Sequence, residues 1–270
     1  MCKEKGLLSY DDLVEKYLDL PYKGITIRNL LTHTSGLPDY QKIMDENWDK
    51  SKVAGNTEIL EYLNIYKPEM IFTPGEKYEY SNTGYVLLGS IVEKVTGEDF
   101  VELSRKWIFE PLKMTNTSIR TNQEKKELNN HAYGHKKDSL ERFVNATNFL
   151  SSNYTIWLGN RKGPGRVSSN VFDLLLWDKA LYGETLVSKK TLNEAFTPYK
   201  LNNGKLSFYG FGWRLNKDSN NKIVSHSGSN PGYKTRIVRL LDKKKTIVIL
   251  SNNDFSLNEI EEKLIDALSN

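Results

Sequence analysis

Apolar positions along this chain change their period once. Through the first two hundred residues they recur at three- and four-residue intervals, the spacing of helices that bury one face. Ser9-Tyr10-Asp11-Asp12 reads as a capping box opening a helix with Leu13, Val14, Tyr17 and Leu18 on one face, closed by Pro21 and Gly24. Thr26 caps a short helix through Leu30 and Leu31 that stops at Ser35-Gly36-Leu37-Pro38, and Thr57 caps another carrying Leu60, Leu63 and Tyr66. After the Pro74-Gly75 turn, Tyr85, Leu88, Val92 and Val95 predict a further helix with Gly97 at its C-terminal cap. Another begins near Ser169 or Asn170 and runs to about Leu181, burying Phe172, Leu175, Leu176 and Ala180. Residues 111–168, rich in Asn, Lys, Gly and Ser, read as long loops with short strands.

After that the pattern shortens. Phe208 to Leu215, Lys222 to His226, Tyr233 to Leu241 and Thr246 to Leu250 are β-branched or aromatic runs bounded by turns. Asp218-Ser219-Asn220-Asn221 and Asp242-Lys243-Lys244-Lys245 connect them as hairpins, and Leu257 to Leu268 is an amphipathic helix that covers one face. The expected fold class is α/β in the α+β sense: an antiparallel sheet flanked by helices, with a largely helical second region. Residues 1–25 and 201–270 supply the sheet region, residues 26–200 the helical one, and together they make a single catalytic-type unit.

Composition narrows the function classes. With 270 residues, 38% hydrophobic and 27% charged, the chain reads as soluble and globular. Its net charge of +4 is small, and its Lys and Arg alternate with Asp and Glu, so no nucleic-acid partner is expected. A lone cysteine, Cys2, excludes an internal disulfide and a zinc ribbon. No apolar run reaches membrane-spanning length. Met1-Cys2-Lys3-Glu4-Lys5-Gly6 lacks the apolar centre of a signal peptide, and the localisation stays open.

Two segments hold candidate chemistry. Tyr80-Ser81-Asn82 lies between a turn and a helix start, where side chains are exposed at a helix mouth. A phenol is a poor base unless cations stabilise its anion, and an Asn beside it can orient an amide. Taken alone, the pattern is better read as a capping Asn and a packed Tyr. His226-Ser227-Gly228-Ser229 ends a predicted strand before Asn230-Pro231-Gly232-Tyr233, and small residues there let a ligand backbone add to the strand edge. Alone it is better read as a turn with one structural histidine. His131 and His135 have helical metal-ligand spacing, but Gly134 intervenes and no third ligand is visible, so no metal is expected. His33 and Ser35 read as turn-formers. Trp48, Trp107, Trp157 and Trp177 read as packing, with Trp157 the one placed to line a cleft.

Taken in order, five blocks resemble one family. They are Ile25 to Leu37 with Leu30-Leu31-Thr32-His33-Thr34-Ser35-Gly36-Leu37; Pro74-Gly75 through Tyr80-Ser81-Asn82 to Leu88-Gly89; Ile108 to Ser118; Tyr209-Gly210-Phe211-Gly212-Trp213; and His226-Ser227-Gly228. The chain resembles the β-lactamase-related serine hydrolases: class C β-lactamases, D-alanyl-D-alanine carboxypeptidases and related esterases. The resemblance implies a β-lactamase/transpeptidase-like fold, no cofactor, and a small-molecule or peptidoglycan-type peptide substrate, and family members are often exported. It implies catalytic roles for Tyr80, Asn82 and His226, and substrate binding at Ser227, Gly228 and Ser229, with the Ser229 backbone N–H as an oxyanion donor. A His in place of the Lys of class C enzymes is more similar to the peptidases and esterases.

The chain departs from this family in one respect. The family's nucleophile lies in Ser-x-x-Lys, on a helix ending just before the segment that matches Gly6-Leu7-Leu8-Ser9. Only five residues precede Gly6, and the one string match, Ser219-Asn220-Asn221-Lys222, falls in a predicted turn. The expectation is an N-terminally truncated hydrolase that forms no acyl-enzyme, or a binding protein retaining the cleft. Missing strands would leave a sheet edge open to self-association.

Overall fold

The computed structural model describes residues 1–217 and 222–269, so the predicted Asp218–Asn221 turn and most of the Ser219-to-Lys222 string lie outside the described residues. Its helical part contains α1 (Ile27–Leu31), α2 (Tyr40–Asn47), α3 (Asn56–Tyr66), α4 (Asn82–Thr96) and α5 (Phe100–Ser104). Short pieces follow: β1 (Ser118–Ile119), α6 (Asn122–Lys126), β2 (His135–Lys137), β3 (Phe143–Asn145), α7 (Tyr154–Trp157) and β4 (Val167–Ser168). Next come α8 (Val171–Ala180), α9 (Lys189–Ala195), β5 (Tyr199–Lys200) and β6 (Leu206–Ser207). The chain closes with β7 (Arg214–Leu215), β8 (Ile223–Asn230), β9 (Tyr233–Leu240), β10 (Lys245–Ser251) and α10 (Asn258–Ser269). Strands β7 to β10 form one antiparallel sheet in the order β10-β9-β8-β7. Among the described residues, no helix is long and apolar enough to cross a membrane.

Local sequence explains most boundaries. The Thr26 side chain accepts from the Asn29 N–H while Asn29 reaches back to Thr26, a reciprocal cap that opens α1. Asn170 caps α8 through the Asp173 N–H. Gly97 ends α4 in the left-handed conformation at φ +71°. α3 starts one residue before the predicted cap at Thr57: Gly55 takes that place, and its N–H is held by the Glu58 carboxylate at 2.7 Å.

Three expectations need correction. The predicted helix after Ser9 is only a 3₁₀ turn, Val14–Lys16, because the segment is drawn into a bridge with Thr26, and the Val14 N–H goes to the Ile25 carbonyl. In α8, Phe172 is 75% exposed and Leu175 and Leu176 are also exposed; only Ala180 of the predicted set is buried. The reason is that α8 is anchored by Asp178 and Ala180 at its C-terminal end, so its apolar residues are spread around the helix and do not form one buried stripe. The run from Phe208 to Leu215 is mostly a tight loop: Gly212 has φ +78°, and a side chain at Gly210 would meet the Ala195 carbonyl at 1.9 Å.

The largest apolar core joins α1, α2, α3 and α4 through Leu30, Tyr40, Met44, Ile59, Leu63, Val86, Leu87 and Ile91, all fully buried or nearly so. On α4 the buried face is therefore Val86, Leu87 and Ile91, and the predicted Tyr85, Leu88, Val92 and Val95 lie at its partly covered flank. A smaller core of Val238, Leu240 and Ile247 sits under Ile265 and Leu268 of α10. Between helices and sheet, the fully buried Arg239 donates to Asp178 Oδ1 at 2.5 Å and ties α8 to β9.

Candidate active site

The site is built where the helix mouth of α4 faces β8. The Tyr80-Ser81-Asn82 segment is held by the turn His33-Thr34-Ser35-Gly36. The carbonyls of Gly36, Thr34 and His33 accept from the N–H groups of Ile71, Gly75 and Glu79, so residues 71–79 are clasped along that turn. Gly36 is required there: it has φ +72°, and an added Cβ would lie 2.0 Å from the Phe72 carbonyl oxygen. The start of α4 is pinned by Thr83, whose hydroxyl donates to the Pro38 carbonyl at 2.6 Å and accepts from the Tyr40 N–H at 3.0 Å. Ser81 is the residue that caps α4, without a side-chain capping bond, and Asn82 is left exposed as its first helical residue.

His33 lies under this segment, and sequence reasoning missed its place in the site. It is 1% exposed, and its Nδ1 accepts from the Ser81 N–H at 3.1 Å. That bond fixes the neutral tautomer with its proton on Nε2, which is buried and has no hydrogen-bond partner. Burial, with help from the neighbouring His226, pushes the His33 imidazole down to about 3. Its ring stacks against Tyr80 at a centroid distance of 4.0 Å and contacts Tyr85 and Tyr209 at 4.9 and 4.8 Å.

Tyr209 links the two halves of the site. Its hydroxyl is 3.0 Å from His226 Nε2. The rings of Tyr80 and His226 lie 6.4 Å apart, facing one space. His226 is held below its ordinary value by burial and then by the Arg214 charge. Burial raises the Tyr80 phenol; Arg214 pulls it the other way without overcoming that, so Tyr80 is neutral at pH 7. Tyr209 opens the motif Tyr209-Gly210-Phe211-Gly212-Trp213, to which the sequence assigned no role, and Arg214 follows it directly at the start of β7.

β8 offers a backbone edge beside these rings. The Ile223 carbonyl accepts from the Asn216 N–H, so odd-numbered backbone groups of β8 point away from β9 and toward β7. β7 pairs only with Val224 and Ser225. Beyond it, the N–H groups of Ser227 and Ser229 point toward an edge that no strand covers among the described residues. Side chains alternate, which sets His226 and Gly228 on the face of the aromatic cluster and Ser227 and Ser229 on the other. There Ser229 Oγ accepts from Lys234 Nζ at 2.8 Å. At Gly228 a Cβ would lie 2.3 Å from Thr235 Oγ1, so the strand stays slim where a ligand would pass.

The other candidates are placed elsewhere. Trp157 is 4% exposed and belongs to the helical core. His131 Nε2 lies 3.3 Å from the Tyr233 hydroxyl, and His135 sits in β2, not on a helix shared with it. Among the described residues no group of three or more His, Cys, Asp or Glu could hold a metal ion.

Comparison with known proteins gives a consistent result. Residues 1–268 match the family model described as Beta-lactamase. Penicillin-binding protein 4* of Bacillus subtilis (strain 168) is 40% identical over 271 residues, covering 99% of this chain and 60% of that protein. The solved octameric penicillin-binding protein homologue from Pyrococcus abyssi is 29% identical with a TM-score of 0.82, covering 99% of this chain and 62% of that one. The D-amino acid amidase from Ochrobactrum anthropi SV3, solved with L-phenylalanine amide, shares the fold at a TM-score of 0.77 and 24% identity, with 99% of this chain and 78% of that one covered. The chain thus spans about three fifths of the length of the first two relatives.

Proposed function

This chain belongs to the beta-lactamase family, and from that premise we propose that it carries the substrate cleft of a penicillin-binding-protein-like serine hydrolase for D-Ala-type peptides, β-lactams or esters. A second element of the proposal is that these 270 residues, taken by themselves, bind such a ligand without being acylated. The observation that carries the first part is the open edge of β8 beside Tyr80 and His226. An extended amide can pair with the Ser227 and Ser229 N–H groups, as strand addition does elsewhere, and its carbonyl then lies against the Ser229 N–H in oxyanion-hole fashion. Asn82, exposed at the mouth of α4, is the group proposed to orient the scissile amide, and Tyr80 and His226 the groups that exchange protons with it.

The second part rests on the residues present. Acyl transfer needs a hydroxyl activated by a base, and in this family that pair is Ser-x-x-Lys at a helix start. Among the described residues no helix opens on that string. The Tyr80 phenol stays above its ordinary value, so it is not the ready base that a neighbouring ammonium would make it. Without the acyl acceptor the rate falls by several orders of magnitude. Intact-mass measurement after incubation with a fluorescent penicillin tests this: the expected result is an unmodified mass, and a stoichiometric adduct on the chain overturns it. A melting-temperature rise with an N-acetyl-D-alanyl-D-alanine peptide, lost in the Asn82→Ala variant, is expected for the cleft. No rise at millimolar peptide would sink the D-peptide reading.

A further inference from the structure

Next to the open end of β8 lies a group of cations that the site above does not use. β1 and β4 pair with Ser118 opposite Ser168 and Ile119 opposite Val167. One step further in that register Arg120 and Arg166 face each other, an arrangement that costs stability because like charges are apposed. Arg166 is held at φ +75°, a conformation unusual for a side chain with a Cβ, with its Nη1 donating to the Arg161 carbonyl at 3.0 Å. Arg161 donates from Nη1 to the Tyr40 hydroxyl at 3.1 Å, while its Nε is buried without a hydrogen-bond partner. Lys125, at the end of α6, completes the group. It lies in the last turn of a five-residue helix that starts two residues after Arg120, and burial first, then Arg166, Arg120 and Arg161, hold its ammonium below its ordinary value.

All four are half-buried, and among the described residues none makes an ion pair. The carboxylate beside them, Glu124, caps α6, accepting from the Thr121 N–H at 2.6 Å and the Thr121 hydroxyl at 2.7 Å, and its charge also acts on Arg166 and Arg120. The neighbouring Lys162 shows the usual solution in this region, an ammonium held by the carboxylates of Glu93 and Asp99. Half-buried cations are ordinarily paired, because removing water from a charge costs free energy that only a counter-charge offsets. Four crowded cations share the single charge of Glu124, so most of their charge is left without a counter-charge.

The group is connected to the site by two contacts. The Arg161 guanidinium lies over the Tyr154 ring at 5.5 Å, and the Tyr154 hydroxyl donates to Asn230 Oδ1 at 3.3 Å. His131 contacts the hydroxyl of Tyr233, the cross-strand partner of Asn230. Asn230 follows Ser229 directly, so a ligand chain laid along the β8 edge and running past Ser229 heads toward Arg161. Resting on the reading of that edge as a peptide-binding strand, we infer that Arg120, Lys125, Arg161 and Arg166 form a subsite for a carboxylate carried by the ligand beyond the Asn230 turn. Guanidinium groups match a carboxylate by two parallel N–H···O bonds, and carboxylates are the anions that a peptide-like chain carries.

The test uses the 270-residue chain, succinate, and two peptides that differ by one carboxymethyl group, N-succinyl- and N-acetyl-D-alanyl-D-alanine. At constant ionic strength, succinate is expected to raise the melting temperature more than acetate does. The succinyl peptide is expected to bind at least fivefold more tightly than the acetyl one. Lys125→Gln and Arg120→Gln are expected to abolish both differences while raising the melting temperature of the ligand-free protein, since each removes a repelling charge. A structural role for these side chains predicts the opposite shift. Equal affinities for the two peptides, or a succinate effect retained in both variants, overturns the subsite. Inorganic phosphate binding tenfold more tightly than succinate overturns its assignment to a carboxylate. If succinate stabilises the protein and neither peptide binds, the anion subsite stands and the D-peptide reading of the cleft falls.

Discussion

The buried Arg239–Asp178 pair gives the sharpest test of what holds helices to sheet. Asp178→Ala removes the acceptor used by Arg239 Nε at 2.5 Å and by the Thr246 hydroxyl at 2.8 Å. What remains for the guanidinium is the Asp178 carbonyl at 3.3 Å and the rings of Tyr182, Phe196 and Trp213 at 4.5, 5.8 and 5.8 Å. With Arg239 0% exposed, water cannot replace the lost carboxylate, and breaking such a pair costs about 3–5 kcal/mol. The lost Thr246 bond, about 1 kcal/mol on its own, is part of that figure because both donors share one oxygen. The double variant Asp178→Leu with Arg239→Met removes both charges and keeps volume, so its expected cost is within about 1 kcal/mol of zero. Urea unfolding followed by tryptophan fluorescence suits the question, because Trp177 and Trp213 stack at 5.7 Å beside the pair. The loosening is also expected to reach the site, since Trp213 closes the loop that presents Tyr209 to His226. A cost below about 1 kcal/mol for Asp178→Ala, or a double variant as unstable as the single one, would refute the reasoning.

Two further outcomes are expected. His33 titrates at about 3 in the fold against an ordinary 6.5, so the unfolded chain binds more protons between those values. Stability contributed there is complete above about pH 6.5 and is lost as pH falls toward 3, at up to about 1.4 kcal/mol per unit; urea midpoints from pH 7 to 4 should fall less steeply in His33→Asn, and equal slopes would remove His33 as the cause. Gly36→Ala forces a Cβ to within 2.0 Å of the Phe72 carbonyl at a φ of +72°, so a loss above about 2 kcal/mol is expected by denaturant midpoint, and an unchanged midpoint would contradict the clasp.

Much of this architecture was legible because local chemistry and tertiary need agree. The Thr26 and Asn170 caps, the Gly97 terminus and the hairpin strands after Lys222 are set by side chains that act within a few residues. The failures lie where a partner distant in sequence decides. Ser9 to Asp12 carries a cap pattern, yet Thr26 and Ile25 take the backbone of Leu13 and Val14. The apolar residues of α8 predict a buried face, yet the helix is oriented by one carboxylate reaching Arg239, sixty-one residues further along the chain. A residue pattern reports which groups want burial and does not report which of them lose to a buried charge.

The site shows the same division more plainly. Tyr80, Asn82 and His226 were identifiable as motif residues, but the features on which their proposed chemistry depends are not in those motifs. Whether Ser227 and Ser229 present side chains or N–H groups depends on the parity of β8, which is set by the Ile223–Asn216 bond and by where β7 stops. Their hydroxyls turn out to face away from the aromatic cluster, so a Ser→Ala change at either position should leave an edge-binding ligand its N–H donors. The protonation of Tyr80 likewise depends on Arg214 and on burial, two influences with opposite signs, and burial is the larger. A motif names the atoms that can react; the pairing register and the local dielectric decide which of them face the ligand, and in which charge state.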